Sequence, residues 1–263
     1  MTTRRTKTSR PKACAYCEGS GPLTREHVFG AFFETRSGRR NRHSSTATRY
    51  QSVRGAPTIR DVCACCNNSR LSPLDSYGAN LLDRYFSHAT SSLQGKPFNV
   101  SRVRLLRWLL KVSYNSARGT GEQVPSHRKC REFILGEARD PPFPIDVLVG
   151  LLPDPAQGRP SRGGPVPNLL RVGEAILPDG QAATTIRRIV ALNRFLFLLL
   201  GWKPGTPRPV RRNVTTRLRA EVDLVPVTER GTQPRLRLSK IPAEFWQGVR
   251  PGQTAILGVR SAR

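Results

Sequence analysis

Two widely separated Cys-x-x-Cys pairs are the feature of this sequence that most constrains its fold. The first runs from Cys14 to Cys17, and the second, from Cys63 to Cys66, follows after 45 intervening residues. Four thiolates with this spacing can close one tetrahedral zinc site and hold two distant segments of the chain together. Such a site contributes folding free energy to a module too small to bury a large core. We therefore predict a structural zinc ion bound by these four cysteines.

The chain has two further cysteines, which we do not expect to bind this zinc. Cys65 lies inside the second pair and could replace Cys63 only by breaking the Cys-x-x-Cys spacing. Cys130 is isolated in the sequence and is expected to be buried. Residues 2–12 are basic and polar with no apolar segment behind them, unlike a signal peptide. We expect a cytoplasmic protein whose thiols stay reduced.

The strong positive charge indicates a polyanionic partner. Lys and Arg number 44 against 18 for Asp and Glu, which gives a formal net charge of +26 and a pI of about 11.4. A field of this sign favours nucleic acid, the commonest polyanion in cells. Codon preference can explain why only seven of the basic residues are Lys, but not why acidic residues are so few. We predict binding to DNA, with RNA as the alternative. No membrane contact is expected, because the longest apolar run, residues 195–200, is far shorter than the ~20 residues that a bilayer requires.

The residue pattern predicts an α+β protein with a zinc-stapled N-terminal module, a helical region and an α+β accessory domain. Residues 1–12 carry five basic residues and no acidic one, and are predicted to form a disordered arm, either solvated or in contact with phosphates. The zinc module covers residues 13–76, in which a polar surface loop over 36–54 precedes a short strand over 58–62. The helical region covers residues 77–120, and the accessory domain, whose role is open, covers 121–263. The pattern leaves the oligomeric state open.

Hydrophobic periodicity predicts the individual elements. Pro73 suits the first turn of a helix, and apolar residues recur behind it at helical spacing. A second helix is predicted over 101–118, with Trp108 and Tyr114 in the core and basic residues such as Lys111 and Arg118 interleaved. Beyond residue 120 the composition is strand-like over 145–152, 169–177, 185–192, 195–202 and 217–227. Over residues 185–200 the period alone also allows a buried helix, but the Thr, Ile, Val and Phe content favours strands.

A Glu-His dipeptide between the two cysteine pairs suggests chemistry beyond a structural zinc. Neighbouring residues on an extended strand point to opposite sides. One of Glu26 and His27 can therefore ligate a metal ion while the other faces a water molecule. The imidazole of a histidine has a pKa suited to accepting a proton near neutrality.

Asn67 directly follows the last cysteine of the zinc motif. Its amide oxygen is a hard, neutral ligand of the kind that Mg²⁺ or Mn²⁺ prefers. The alternative is that Asn67 or Asn68 caps the following helix, since Asn is a preferred N-cap residue.

These motifs together resemble the HNH endonuclease family. The similarity covers residues 14–75 and consists of Cys-x2-Cys, Leu-Thr-x-Glu-His-Val and Val-Cys-x2-Cys-Asn-Asn, with Leu74-Asp75 behind them. It is closest to the phage and bacterial branch in which a four-cysteine zinc site supports a ββα-metal fold. The resemblance implies a β-hairpin and a helix that grip one divalent ion, Mg²⁺ or Mn²⁺, held by Glu26 and Asn67. It also implies that His27 is the general base for DNA hydrolysis and that Arg70 contacts phosphate.

The sequence departs from the family pattern in three places. The middle Asn of the family motif, which steadies the loop and the base, is absent before the second cysteine pair, and Asn41 stands at an unsuitable distance. Position 71, where a second ligand on the helix would stand, is Leu, which leaves Asp75 and His43 as substitutes. Phe29-Gly30 replaces Pro-Gly after the His. A non-catalytic zinc-module protein that binds DNA or RNA is therefore the principal alternative, and a ribosome-associated RNA-binding protein is a third reading from charge alone.

Overall fold

The computed structural model describes residues 13–33, 58–152, 170–176, 181–228, 234–240 and 255–256. The predicted arm over residues 1–12 and the predicted loop over 36–54 lie outside the described residues. The described part contains both helices and sheets, so the predicted α+β class is confirmed.

The N-terminal part is a β-hairpin followed by a helix. Strand β1 (Leu23–His27) pairs antiparallel with β2 (Thr58–Cys63), with His27 opposite Thr58 and a bulge between Thr24 and Glu26. A π-helical turn (Cys66–Arg70) follows, and then helix α1 (Ser72–Leu81), which has Pro73 in its first turn as predicted. The hairpin and helix thus meet at the second cysteine pair.

Five helical segments of different lengths form the middle of the chain. They are a second π-helical turn (Leu82–Phe86), α2 (Thr90–Leu93), α3 (Arg102–Thr120), α4 (Val124–Lys129) and α5 (Arg131–Leu135). The hydroxyl of Ser101 accepts a hydrogen bond from the Arg104 N–H and caps the N-terminus of α3. Gly121 ends α3 in the left-handed conformation, with φ 86°. Trp108 and Tyr114 of α3 are fully buried, which confirms their predicted place in the core.

In the second half of the chain, the described residues form a six-stranded sheet in the order β7-β3-β6-β5-β4-β8. Its strands are β3 (Ile145–Leu151), β4 (Leu170–Ile176), β5 (Thr184–Leu192), β6 (Phe195–Trp202), β7 (Val225–Pro226) and β8 (Ala255–Ile256). All pairs are antiparallel except β4 with β8. The predicted strands over residues 185–192 and 195–202 are confirmed, and the alternative of a buried helix there is wrong.

The sheet is covered on both faces, which explains the unbroken apolar run in β6. Phe195, Phe197 and Leu199 belong to the larger core cluster, whereas Leu196 and Leu198 belong to a second cluster on the opposite face. Because neither face meets water, both sets of alternating side chains are apolar.

The strand predicted over residues 217–227 is wrong over 217–222, which are helical, and only Val225–Pro226 at its end form a strand, β7. Residues Arg208–Val222 form helix α6, with Val214 and Leu218 buried on the second core cluster. The two residues are four apart, as a helix requires, and the alternation of apolar residues beyond Arg217 was misleading. Helices α4 and α5 were also not predicted.

One core runs through the zinc module, the helical region and the sheet. The larger cluster contains Tyr16 and Val62 from the zinc module, Trp108 from α3 and Phe197 from β6. It is therefore continuous across the predicted boundaries after residues 76 and 120. Within the described residues, no helix combines the length and apolar character needed to cross a membrane.

Candidate metal centre and hairpin–helix site

The four predicted zinc ligands form one cluster. The sulfur atoms of Cys14, Cys17, Cys63 and Cys66 all lie within 4.8 Å of one another, and Cys17 Sγ is 3.7 Å from Cys63 Sγ. A tetrahedral zinc ion with Zn–S bonds of about 2.3 Å requires sulfur separations of about 3.8 Å. The cluster is therefore compatible with a zinc site. Cys65 is exposed and outside it, as predicted.

Backbone amides prepare this cluster for a cation. Burial alone would raise the pKa of Cys14, but hydrogen bonds from the backbone amides of Cys63, Cys17 and Tyr16 lower it to about 7. Burial and the neighbouring sulfur atoms raise the pKa of Cys66. Four thiolates this close together repel one another, so they do not all lose their protons readily without a cation. A soft divalent cation bound between them removes that repulsion and stabilises the thiolate form.

The cluster also sets the geometry of the hairpin and the following helical turn. The N–H of Ala15 donates to Asp61 O at 2.8 Å and so joins the first cysteine pair to the free edge of β2. Cys63 ends β2 and Cys66 begins the helical turn. One ion at this point would fix three segments of the chain relative to each other.

Asn67 is tied to β1 and does not cap a helix. Its Nδ2 donates to Thr24 Oγ1 at 3.0 Å and to Arg25 O at 2.9 Å. Neither the π-helical turn nor α1 has a side-chain cap, so the capping alternative is wrong for both Asn67 and Asn68. The Asn67 amide instead ties the beginning of the helical turn to Arg25, which lies two residues before His27.

Glu26 and His27 face opposite sides of β1. Glu26 is 2% exposed, whereas His27, the last residue of the strand, is partly exposed. Solvent can therefore reach the imidazole while the carboxylate points into the protein.

The Glu26 carboxylate meets a buried lysine from α3. Lys111 is fully buried, and its Nζ lies 2.7 Å from Glu26 Oε1. The same ammonium also forms an ion pair with Asp75 of α1. Burial raises the pKa of Glu26, and the Lys111 charge opposes that effect. Lys111 was expected among the basic residues that separate the apolar positions of the helix, so its complete burial corrects that expectation.

Glu26 and Asn67, which bond to different partners, each carry an oxygen donor of the kind that suits a hard cation. Two carboxylates and one ammonium leave one negative charge uncompensated, and the carboxylate and amide oxygens of Glu26 and Asn67 are the ligands that Mg²⁺ and Mn²⁺ prefer. Lys111 would share Glu26 with any such ion. Asp75 reaches this site through Lys111, whereas His43 lies outside the described residues.

Asn115 of α3 is a site residue that the sequence patterns did not single out. Its Nδ2 donates to His27 O at 3.0 Å and to Glu26 Oε1 at 3.2 Å, and its Oδ1 accepts from Tyr16 Oη at 2.7 Å. The side chain is fully buried. Lys111, Asn115 and Arg118 stand at positions i, i+4 and i+7 on one face of α3, and this polar stripe was the available signal.

Arg70, expected to contact phosphate, has a protein partner. Its guanidinium forms an ion pair with Glu137, beyond α5. A phosphate at Arg70 would have to compete with this carboxylate.

No protein-family model, curated protein or solved structure matches this chain. The arrangement of its own residues therefore carries the functional argument.

Proposed function

We propose that this chain is a metal-dependent endonuclease of the HNH type, which hydrolyses phosphodiester bonds in DNA. One observation carries the proposal: a two-stranded hairpin ends on His27, and the helical turn that follows it is anchored to the same strand by Asn67. The four-cysteine cluster stands at their junction. A base and a metal ligand held in one frame are what hydrolysis at a phosphate needs.

His27 is the group that would accept the proton of the attacking water. It is accessible, and the hydrogen bond from Asn115 to its carbonyl fixes the end of the strand that bears it. Glu26 and Asn67 would hold Mg²⁺ or Mn²⁺, which when bound would supply charge stabilisation at the phosphate and at the leaving oxygen. The net charge of +26 would draw DNA towards this site.

The test is nicking of supercoiled plasmid DNA in the presence of Mg²⁺ or Mn²⁺. Replacing His27 by Ala should lower the rate by about 10²-fold or more, because a general base typically contributes that much. His88→Ala is the matched control, since His88 is exposed and lies beyond the site. Absence of cleavage with every divalent ion would overturn the proposal, as would equal rates for the two variants.

A non-catalytic zinc module that binds nucleic acid is the second candidate. The contact between Lys111 and Glu26 favours it, because the carboxylate already has a cation at 2.7 Å. This candidate predicts tight DNA binding without cleavage, and binding unchanged by Asn67→Ala. The nuclease predicts that Asn67→Ala raises the metal concentration needed for cleavage.

A further inference from the structure

A cavity of about 750 Å³ lies beside the hairpin. It is bounded by the first cysteine pair, by β1 and β2, and by α3 and α4. Pockets of 300–1,000 Å³ accommodate small ligands or short segments of a polymer. This volume is enough for a few nucleotides of one nucleic-acid strand and small for both strands of a duplex.

Three arginines give this cavity its charge. Arg25 of β1, Arg60 of β2 and Arg128 of α4 line it and are exposed. None of the three forms an ion pair with a described residue, and the nearby Glu18 pairs with Arg131 at 2.7 Å. Arg60 Nε donates to Leu23 O at 3.3 Å, and Arg128 acts on the Glu18 carboxylate at longer range. The cavity therefore carries about three positive charges that no described carboxylate pairs with at ion-pair distance.

The acidic residue in the lining does not offset these charges. Asp61 accepts hydrogen bonds from Arg118 Nε at 2.9 Å and from Arg118 Nη2 at 3.2 Å, so the two residues neutralise each other. Arg118 is only 7% exposed and also lines the cavity. Its Nη1 is buried and has no hydrogen-bond partner among the described residues. A buried donor of this kind is costly unless an acceptor reaches it.

The cavity adjoins the proposed catalytic histidine. Arg25 lies two residues before His27, and Thr58, which lines the cavity, stands opposite His27 in the hairpin. A nucleic-acid strand that has one phosphate at His27 can therefore continue into the cavity. One guanidinium group can donate two parallel hydrogen bonds to the oxygen atoms of one phosphate, so a row of arginines suits successive phosphates along a strand.

We infer that this cavity binds the phosphate backbone of a single nucleic-acid strand next to the phosphate that His27 reaches. The biological role of this cavity rests on the proposed nuclease function, whereas its binding of a nucleic-acid strand can be measured without cleavage. Such binding implies that the substrate has an unpaired segment beside the cut.

The experiment measures binding of a fluorescent single strand of about 12 nucleotides by anisotropy, with the full chain in the His27→Ala background and no added divalent ion. The cavity variant replaces Arg25, Arg60 and Arg128 by Gln. The control replaces Arg208, Arg212 and Arg219 by Gln, which removes the same charge from exposed positions of α6. Circular dichroism and zinc content check that each variant is folded.

The cavity variant should bind the single strand at least about tenfold more weakly. Its slope of log Kd against log salt should fall by about 2, since each lost contact with a single strand removes about 0.7. Equal losses in the cavity and α6 variants would overturn the inference, because they would show a general effect of charge. A loss confined to duplex DNA of the same length would overturn the assignment to a single strand.

If the triple variant does not fold, single substitutions can be used to measure the salt dependence of single-strand binding instead. Arg25→Gln or Arg128→Gln should each lower the salt slope by about 0.7, and unchanged slopes in both would refute the site. Failure of the nuclease proposal would be seen separately, as wild-type protein that binds the single strand but cleaves neither supercoiled plasmid nor single-stranded DNA. Equal binding of the single strand by the cavity and α6 variants, with plasmid cleavage by the wild type intact, would refute the cavity alone.

Discussion

Replacing Lys111 by Met should destabilise the protein more than any other single lysine change in the described part of the chain. Lys111 is fully buried, its Nζ is 2.7 Å from Glu26 Oε1, and Glu26 is only 2% exposed. Removing one partner of a buried ion pair costs about 3–5 kcal/mol, because the other charge is left uncompensated. Asn115 would remain as a hydrogen-bond donor to Glu26, at 3.2 Å. Asp75 adds little, because 29% of its side chain is exposed and water screens it.

Urea unfolding at pH 7, followed by circular dichroism with zinc present, measures this cost. With an m-value of about 3 kcal/mol/M, a cost of about 3–5 kcal/mol should lower the urea midpoint by about 1–1.7 M. Met keeps the apolar stem of the lysine, so the loss reports the charge rather than the packing. Lys129→Met is the control, since Lys129 is exposed on α4 and should change the stability by less than about 0.5 kcal/mol.

A double-mutant cycle with Glu26→Gln tests the cause. In that background Lys111→Met should cost at least about 1 kcal/mol less, because no buried carboxylate is left without its cation. Burial already raises the pKa of Glu26, and loss of Lys111 should raise it further. The stability difference between Lys111→Met and wild type should therefore shrink as the pH falls through that raised pKa. An equal cost of Lys111→Met in both backgrounds would refute the reasoning.

Three further predictions concern the zinc, the buried histidine and Asn115. Metal analysis should find about one zinc per chain, lost in Cys66→Ser but kept in Cys65→Ser, because Cys65 is outside the sulfur cluster; a folded, zinc-free protein would contradict the assignment. Burial lowers the pKa of His127 to about 3. As the pH falls through about 6.5, His127 is therefore protonated in the unfolded chain but stays neutral in the folded chain. Stability should therefore fall by about 2 kcal/mol between pH 7 and pH 5 from this group alone, measured as the difference in pH dependence between wild type and His127→Gln; parallel curves would refute it. Asn115→Ala, which removes the donor to His27 O, should lower kcat at least about tenfold with little change in KM and should shift the pH–rate profile, whereas a purely structural Asn115 would leave that profile in place.

The local patterns of the sequence predicted much of the framework. Residues close together in the chain determine such patterns. They include the spacing within each cysteine pair, the helical period that predicted a helix over 101–118, and the β-branched content of β5. The same local logic failed at α6, where apolar residues alternated near the end of a helix. A short window could not tell the two periods apart there, and packing of Val214 and Leu218 on the sheet decided the outcome.

The partners of the site residues depend on packing between distant segments. Nothing near Glu26 in the sequence indicates that Lys111 lies against it, because the two residues meet only when α3 packs on the hairpin. The role of Asn115 has the same origin, since its partners come from β1 and from the first cysteine pair. A helical pattern counts lysine, asparagine and arginine as solvent-facing, and burial reverses that rule when each charge or amide finds a partner.

The sequence by itself therefore determined the four-cysteine cluster, the α+β class and the position of Glu26 and His27 on one strand, because spacing and periodicity act over a few residues. Only the tertiary structure decided which charge faces Glu26, what holds His27, and that Arg25, Arg60 and Arg128 share one cavity. Those contacts join residues from 35 to more than 100 positions apart in the chain. Their energies come from burial and charge pairing, which no short stretch of sequence contains.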